Sequence, residues 1–138
     1  MIRTISVAIS LTCATIGAIA AEQPDVVYTI TDANGALVDE LGHIRDVGDN
    51  SAFGFRNIPA LLFVSRTTRM EDGYQALVVM DDPGAAPCAQ GPFTGPDGVS
   101  YATWSQAIFS ISPDTTKIRF DSRNCGEGPI ETFYGEKQ

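Results

Sequence analysis

The chain has 138 residues, with 17 Asp and Glu against 9 Lys and Arg, a formal charge of −8, and a single histidine. A chain this acidic is repelled at long range by nucleic acid and by anionic headgroups, so neither is an expected partner, whereas a basic protein is favoured. One histidine excludes multi-histidine zinc and blue-copper sites and leaves at most one imidazole for acid–base chemistry, so no cofactor is expected.

Met1-Ile2-Arg3 carries one positive charge, and Thr4 to Ala21 carry none, only aliphatic, small and hydroxyl residues. That is the n-region and h-region of a bacterial-type secretory signal. Ala18 and Ala20 supply the small side chains a signal peptidase accepts, and Glu22-Gln23-Pro24 ends the pattern, which predicts cleavage after Ala20. The hydroxyl residues within the stretch argue against a membrane span. Residues 1–20 are therefore read as a cleavable signal and 21–138 as one compact domain, periplasmic or secreted, with no membrane attachment after cleavage. Removing Arg3 with the signal makes the mature chain more acidic still.

Val26 to Thr31 (VVYTIT) reads as a strand stopped by Asp32-Ala33-Asn34-Gly35. Within 36–47, Leu37, Leu41 and Ile44 fall at helical spacing, which predicts a short helix although Gly42 would cost it about 1 kcal/mol relative to alanine. Ala60 to Thr67 and Tyr74 to Asp81 are rich in β-branched and large apolar residues, and Met70-Glu71-Asp72-Gly73 between them ends on a turn glycine, so the pair reads as a hairpin. The continuous apolar run Ala76 to Met80 points to a strand covered on both sides. Ser105 to Ser112 and Lys117 to Ser122 flank Pro113-Asp114-Thr115-Thr116 as a second hairpin. In it Ile118 and Phe120 alternate with Lys117, Arg119 and Asp121. Tyr101, Trp104 and Ile108 also fit a helical turn at its start, and Ile130 to Tyr134 suggests a last short strand. The expected fold is mainly β (or α+β): an antiparallel sheet or small barrel of five to six strands built from two hairpins, with one short helix and one disulfide.

Cys13 leaves with the signal, and its neighbours make a poor lipobox. Cys88 and Cys125 remain, in an oxidising compartment, and are expected to pair. Their spacing is neither that of a redox pair nor of a zinc knuckle, so the bond is read as structural, stapling the exits of the two hairpins.

Between Asp82 and Gly98, eight of the seventeen residues are Gly or Pro, a composition unsuited to regular sheet. Loops of such length in compact domains are usually either functional or disordered, and prolines with a disulfide argue against disorder by lowering the entropy of the free loop. Phe93 in its midst either packs against the loop's own body or anchors a partner.

The chemistry-bearing residues are few. Asp81, Asp82 and Asp97 are candidates to gather as oxygen ligands for a hard cation, but the regular spacing of a calcium loop is missing and adjacent strand residues face opposite ways. His43 is expected on a solvated surface. No GxSxG elbow is present. Arg66, Arg69, Arg119 and Arg123 lie in or beside strands, as an anion pocket or, more simply, as members of ion pairs. The reading that follows is an exported binding protein, of the inhibitor or immunity type, not an enzyme. It would meet a protein partner through the stapled 82–98 loop, with Gln90, Phe93 and Thr94 as contacts and Asp82 and Asp97 steering a basic surface. The alternatives are a small exported enzyme or metal-dependent module using Asp81, Asp82, Asp97 or His43, and a structural subunit of an envelope complex.

Overall fold

The computed structural model describes residues 25–80, 93–124 and 129–138. They form ten strands: β1 (Val26–Asp32), β2 (Leu37–Val47), β3 (Asn50–Phe55), β4 (Ala60–Met70), β5 (Gly73–Met80), β6 (Phe93–Thr94), β7 (Ser100–Tyr101), β8 (Thr103–Ile111), β9 (Lys117–Asn124) and β10 (Glu131–Lys137). Eight of them close an antiparallel barrel in the circular order β1-β10-β9-β8-β5-β4-β3-β2, so each barrel strand pairs with its chain neighbour. β6 and β7 pair only with each other, as a small hairpin inserted between β5 and β8. Closure comes from β1 against β10, where Tyr28 to Asp32 pair with Lys137 back to Phe133. It leaves no barrel edge open to strand addition.

Mainly β and antiparallel is correct, but the expected count and the helix are not. There are eight barrel strands rather than five or six, and no helix among the described residues. The segment read as a helix is β2. Its apolar residues do not share a face: Leu41 is fully buried in the barrel, Leu37 is 72% exposed, and Ile44 packs outside the wall. A register irregularity between His43 and Arg45 shifts the alternation at Ile44, so a bulged strand reproduces a helical spacing by coincidence. Tyr101 and Trp104 likewise belong to β7 and β8, not to a helical turn. β3 has a period-two pattern, Phe53 and Phe55 alternating with Ala52 and Gly54, that its small residues and glycine obscure.

Alternation sets the two faces of the wall. Tyr28, Ile30, Leu41, Phe53, Leu62, Phe109, Ile118 and Phe120 form the buried interior, with Phe120 stacked on Phe133 at 5.1 Å and Phe53 against Phe109 at 5.7 Å. Gly135 completes it, since a Cβ there would stand 2.5 Å from the Ile118 side chain and 2.8 Å from that of Ile30. A barrel of this strand number is just wide enough to be filled by side chains. Lys117, Arg119 and Glu136 lie on exposed positions of β9 and β10, whereas membrane-spanning barrels turn their apolar side chains outward.

The β2–β3, β4–β5 and β8–β9 turns share one rim with Asp25 and Gln138, and the other connections leave from the far rim. At the far rim the β3–β4 loop is tied down by Asp39, a buried carboxylate sequence inspection passes over. It accepts hydrogen bonds from the Asn57 amide and side chain at 3.0 Å and from the Ile58 amide at 2.9 Å. Burial alone would raise this carboxyl, but those bonds and one from the Glu40 amide outweigh it and hold the group below its ordinary value.

Candidate functional site

One sector of the wall is apolar on both sides. Ala52 of β3, Phe63 of β4 and Val79 of β5 point away from the barrel interior yet are buried, and Ile44, Leu61 and Trp104 border them. The β6–β7 hairpin covers this sector, which accounts for the two-sided apolar run in β5. Phe93 stacks on Trp104 with ring centres 5.4 Å apart, and Tyr101 meets Phe63 edge-on at 6.5 Å.

The hairpin closes through Gly95-Pro96-Asp97-Gly98. Proline presets the first turn dihedral, Gly98 takes φ +79°, and Gly98 N donates to Gly95 O at 3.0 Å while Gly95 N donates to Val99 O at 2.9 Å. The Asp97 carboxylate folds back, accepting the Val99 amide at 3.2 Å and the Tyr101 hydroxyl at 2.5 Å, with the Arg45 guanidinium of β2 4.0 Å away. Its side chain is only 7% exposed. The Tyr101 ring crosses so close to Gly95 that a Cβ there would lie 2.9 Å from it.

Of the residues expected to meet a partner, Phe93 is thus half-buried against Trp104, Asp97 is held inside the hairpin, and Thr94 is exposed on its surface. Asp82, Gln90, Asp81, Cys88 and Cys125 lie outside the described residues. The strands leading to the two cysteines, β5 and β9, end at the far rim on either side of β8, with Met80 opposite Thr103 and Asn124 opposite Ser105. The hairpin's outward surface is made by Thr94, Pro96, Gly98, Val99 and Ser100, Val99 being 49% exposed. The stretch read as a loop unsuited to regular sheet thus carries a two-residue strand, Phe93–Thr94, and the Pro96-Asp97-Gly98 turn is the one sequence feature that could have signalled the hairpin.

His43 sits half-buried near the other rim, its ring edge-on to Phe53 at 5.4 Å and its Nε2 3.0 Å from Asp46 Oδ1. The Ser51 hydroxyl also points at Asp46 Oδ1, at 3.4 Å, and Arg66 reaches the same oxygen at 3.2 Å. The His43 bond, opposed by partial burial and joined by the Arg66 charge, depresses the Asp46 carboxyl. Serine and histidine converge on one carboxylate rather than on each other, so the arrangement lacks the nucleophile-to-base contact that activates a serine. Among the described residues no three Asp, Glu, His or Cys groups gather as a metal site would need.

The four strand arginines do not share a pocket. Arg66 also donates to the carbonyl of Asn50, Arg69 lies over the Tyr74 ring at 4.9 Å and donates to its hydroxyl, and Arg119 pairs with Asp121 at 3.2 Å. Arg123 lies on the outer face of β9, beside a groove between β5, β8 and β9. No family model matches the chain, and neither a curated protein nor a solved structure matches it.

Proposed function

We propose that this is an exported, non-enzymatic binding protein of the inhibitor or immunity type, and that it meets a protein partner through the β6–β7 hairpin and the segment that precedes it. One observation carries the reading. The barrel has its own complete interior, yet a second apolar layer is built on its outer wall to clamp a hairpin of two-residue strands. A surface element fixed before binding loses less conformational freedom on association, which favours affinity. The contacts assigned here are Thr94 and Val99, with Asp82 and Gln90 in the preceding segment. Phe93 and Asp97 then serve the partner surface by holding its shape. A Cys88–Cys125 bond would tether the same segment to the end of β9, and the net charge of −8 favours a basic partner.

The envelope-subunit alternative gains less support, because every barrel strand is paired on both sides. The enzyme or metal-dependent alternative gains no support from His43, which faces Asp46, or from Asp97, which is held inside the hairpin, while Asp81 and Asp82 lie outside the described residues.

The test is site-specific photo-crosslinking from position 99 in the exporting cells. A single adduct of defined mass is expected, and it should disappear in the Thr94→Arg variant while the melting temperature is retained. Adducts only from positions on the opposite wall, such as Thr29, would overturn the assignment.

A further inference from the structure

A groove of about 490 Å³ runs over the outer face of β5, β8 and β9, where none of the hairpin's contacts lie. This volume is within the range of small-ligand sites. Its floor is the backbone at Ala76 and Ala107 with the Ile108 side chain, and exposed Met70 and Ile130 form apolar borders. Its polar groups are ordered along its length. Asp72 lies by the β4–β5 turn. Gln75 then stands opposite Ile108, and Gln106 opposite Arg123. Asp121, also in the lining, is already neutralised by Arg119 at 3.2 Å and by the Thr132 hydroxyl at 2.7 Å. The side chains of Asp72, Gln75, Gln106 and Arg123 make no hydrogen bond or ion pair with another described residue.

The groove therefore has a carboxylate at one end, within the field of Arg119, and at the other a guanidinium with no ion-pair partner among the described residues. Between them lie two amides, each able to donate and accept, on an apolar floor. Asp72 is near enough to Arg119 to act on its charge, and Arg123 lies four residues beyond Arg119 along β9, toward the far rim.

The geometry points to a binding site for a short extended peptide with free ends. Its ammonium would meet Asp72, its carboxylate would meet Arg123, its backbone amides would meet Gln75 and Gln106, and an apolar side chain would rest on Ile108. Nothing in this assignment depends on the hairpin, and it stands or falls apart from the function proposed above.

Titration of the isotope-labelled exported protein with the peptide Ala-Leu-Ala-Leu, followed by amide chemical shifts, tests it. Saturable shifts are expected at Gln75, Gln106, Ile108 and Arg123. Amidating the peptide's carboxyl end, or acetylating its amino end, should each weaken binding about tenfold, the loss of one charge-assisted hydrogen bond. Arg123→Gln should abolish the preference for the free carboxylate and Asp72→Asn that for the free ammonium. Both variants should keep the wild-type melting temperature. The assignment is overturned if no saturable shift appears, if shifts fall on Thr94 and Val99 instead, or if blocked and free peptides bind alike. Binding of octanoate as tight as that of the peptide would also overturn it, in favour of a small-molecule carboxylate site.

Discussion

The Tyr101 hydroxyl donates to Asp97 Oδ2 at 2.5 Å, and this one bond joins the second strand of the hairpin to its turn. Because the carboxylate is almost wholly covered, removing the hydroxyl leaves a charge with one partner fewer. Tyr101→Phe is expected to destabilise the hairpin by about 1–3 kcal/mol, the range for a lost hydrogen bond to a charged group. Hydrogen exchange should quicken at residues 95, 98 and 99 while β1 and β10 keep their protection, and unchanged exchange at all three would refute the role given to this bond.

Phe93 and Trp104 supply a second, optical readout, since Trp104 is the only tryptophan in the chain. Phe93→Ala removes the ring stacked on the indole, so fluorescence emission should move to longer wavelength as water reaches Trp104. The cost should fall below the roughly 3–5 kcal/mol of a fully buried phenylalanine, because Phe93 is only half-buried. Emission identical to wild type would show that the hairpin does not depend on this contact.

Stability at low pH should follow Asp39 and Asp114. Both carboxyls are depressed in the folded protein. In Asp39, burial is outweighed by backbone and Asn57 hydrogen bonds, and in Asp114 the bonds from Ser112 and Thr116 bring the value down to about 2. A depressed folded value contributes stability that is present above the unfolded value, about 3.9, and lost as pH falls through the folded one. Acid titration of the melting temperature should therefore show loss beginning near pH 4 and continuing toward pH 2, and Asp39→Asn should flatten its course. A variant as acid-sensitive as wild type would remove Asp39 from the account.

If the chain is exported and cleaved as proposed, thiol titration of the unfolded, unreduced mature protein should find no free thiol. Cys125→Ser should then lower stability by roughly 2–5 kcal/mol, as removal of a disulfide does in small secreted domains. Two titratable thiols would exclude the Cys88–Cys125 bond.

The strands that could be read from the chain are those whose side chains alternate without interruption. In β9, Ile118 and Phe120 enter the barrel while Lys117, Arg119 and Asp121 face water, as the pattern states directly. β2 was misread because its bulge carries Ile44 to the outer layer, and an irregularity in pairing is invisible to a periodicity argument. β6 and β7 were hidden for a different reason. Strands of two residues have no period, and their stability comes from Phe63 and Val79, which lie far away in sequence. The residues expected to meet a partner suffered likewise: an exposed aromatic and an exposed acid look the same in sequence as a stacked one and a hydrogen-bonded one, so Phe93 and Asp97 could not be told from Thr94. Asp39 gave no signal, because its donors are mostly backbone amides that any residue supplies.

Because β1 and β10 close the ring, Gln138 donates its amide to Val27 and Asp25 donates its amide to His43, and the ends of the described chain lie on the same rim. Where the gene cuts this ring is then a matter of order rather than of architecture. A circular permutant joining Gln138 to Asp25 through a short linker and opened at Glu71 should rebuild the same barrel. In the natural order the contacts between first and last strands span nearly the whole described chain, and such non-local pairing slows folding. The ring can shut only after β10 has been synthesised, and until that moment both of its future edges stay exposed.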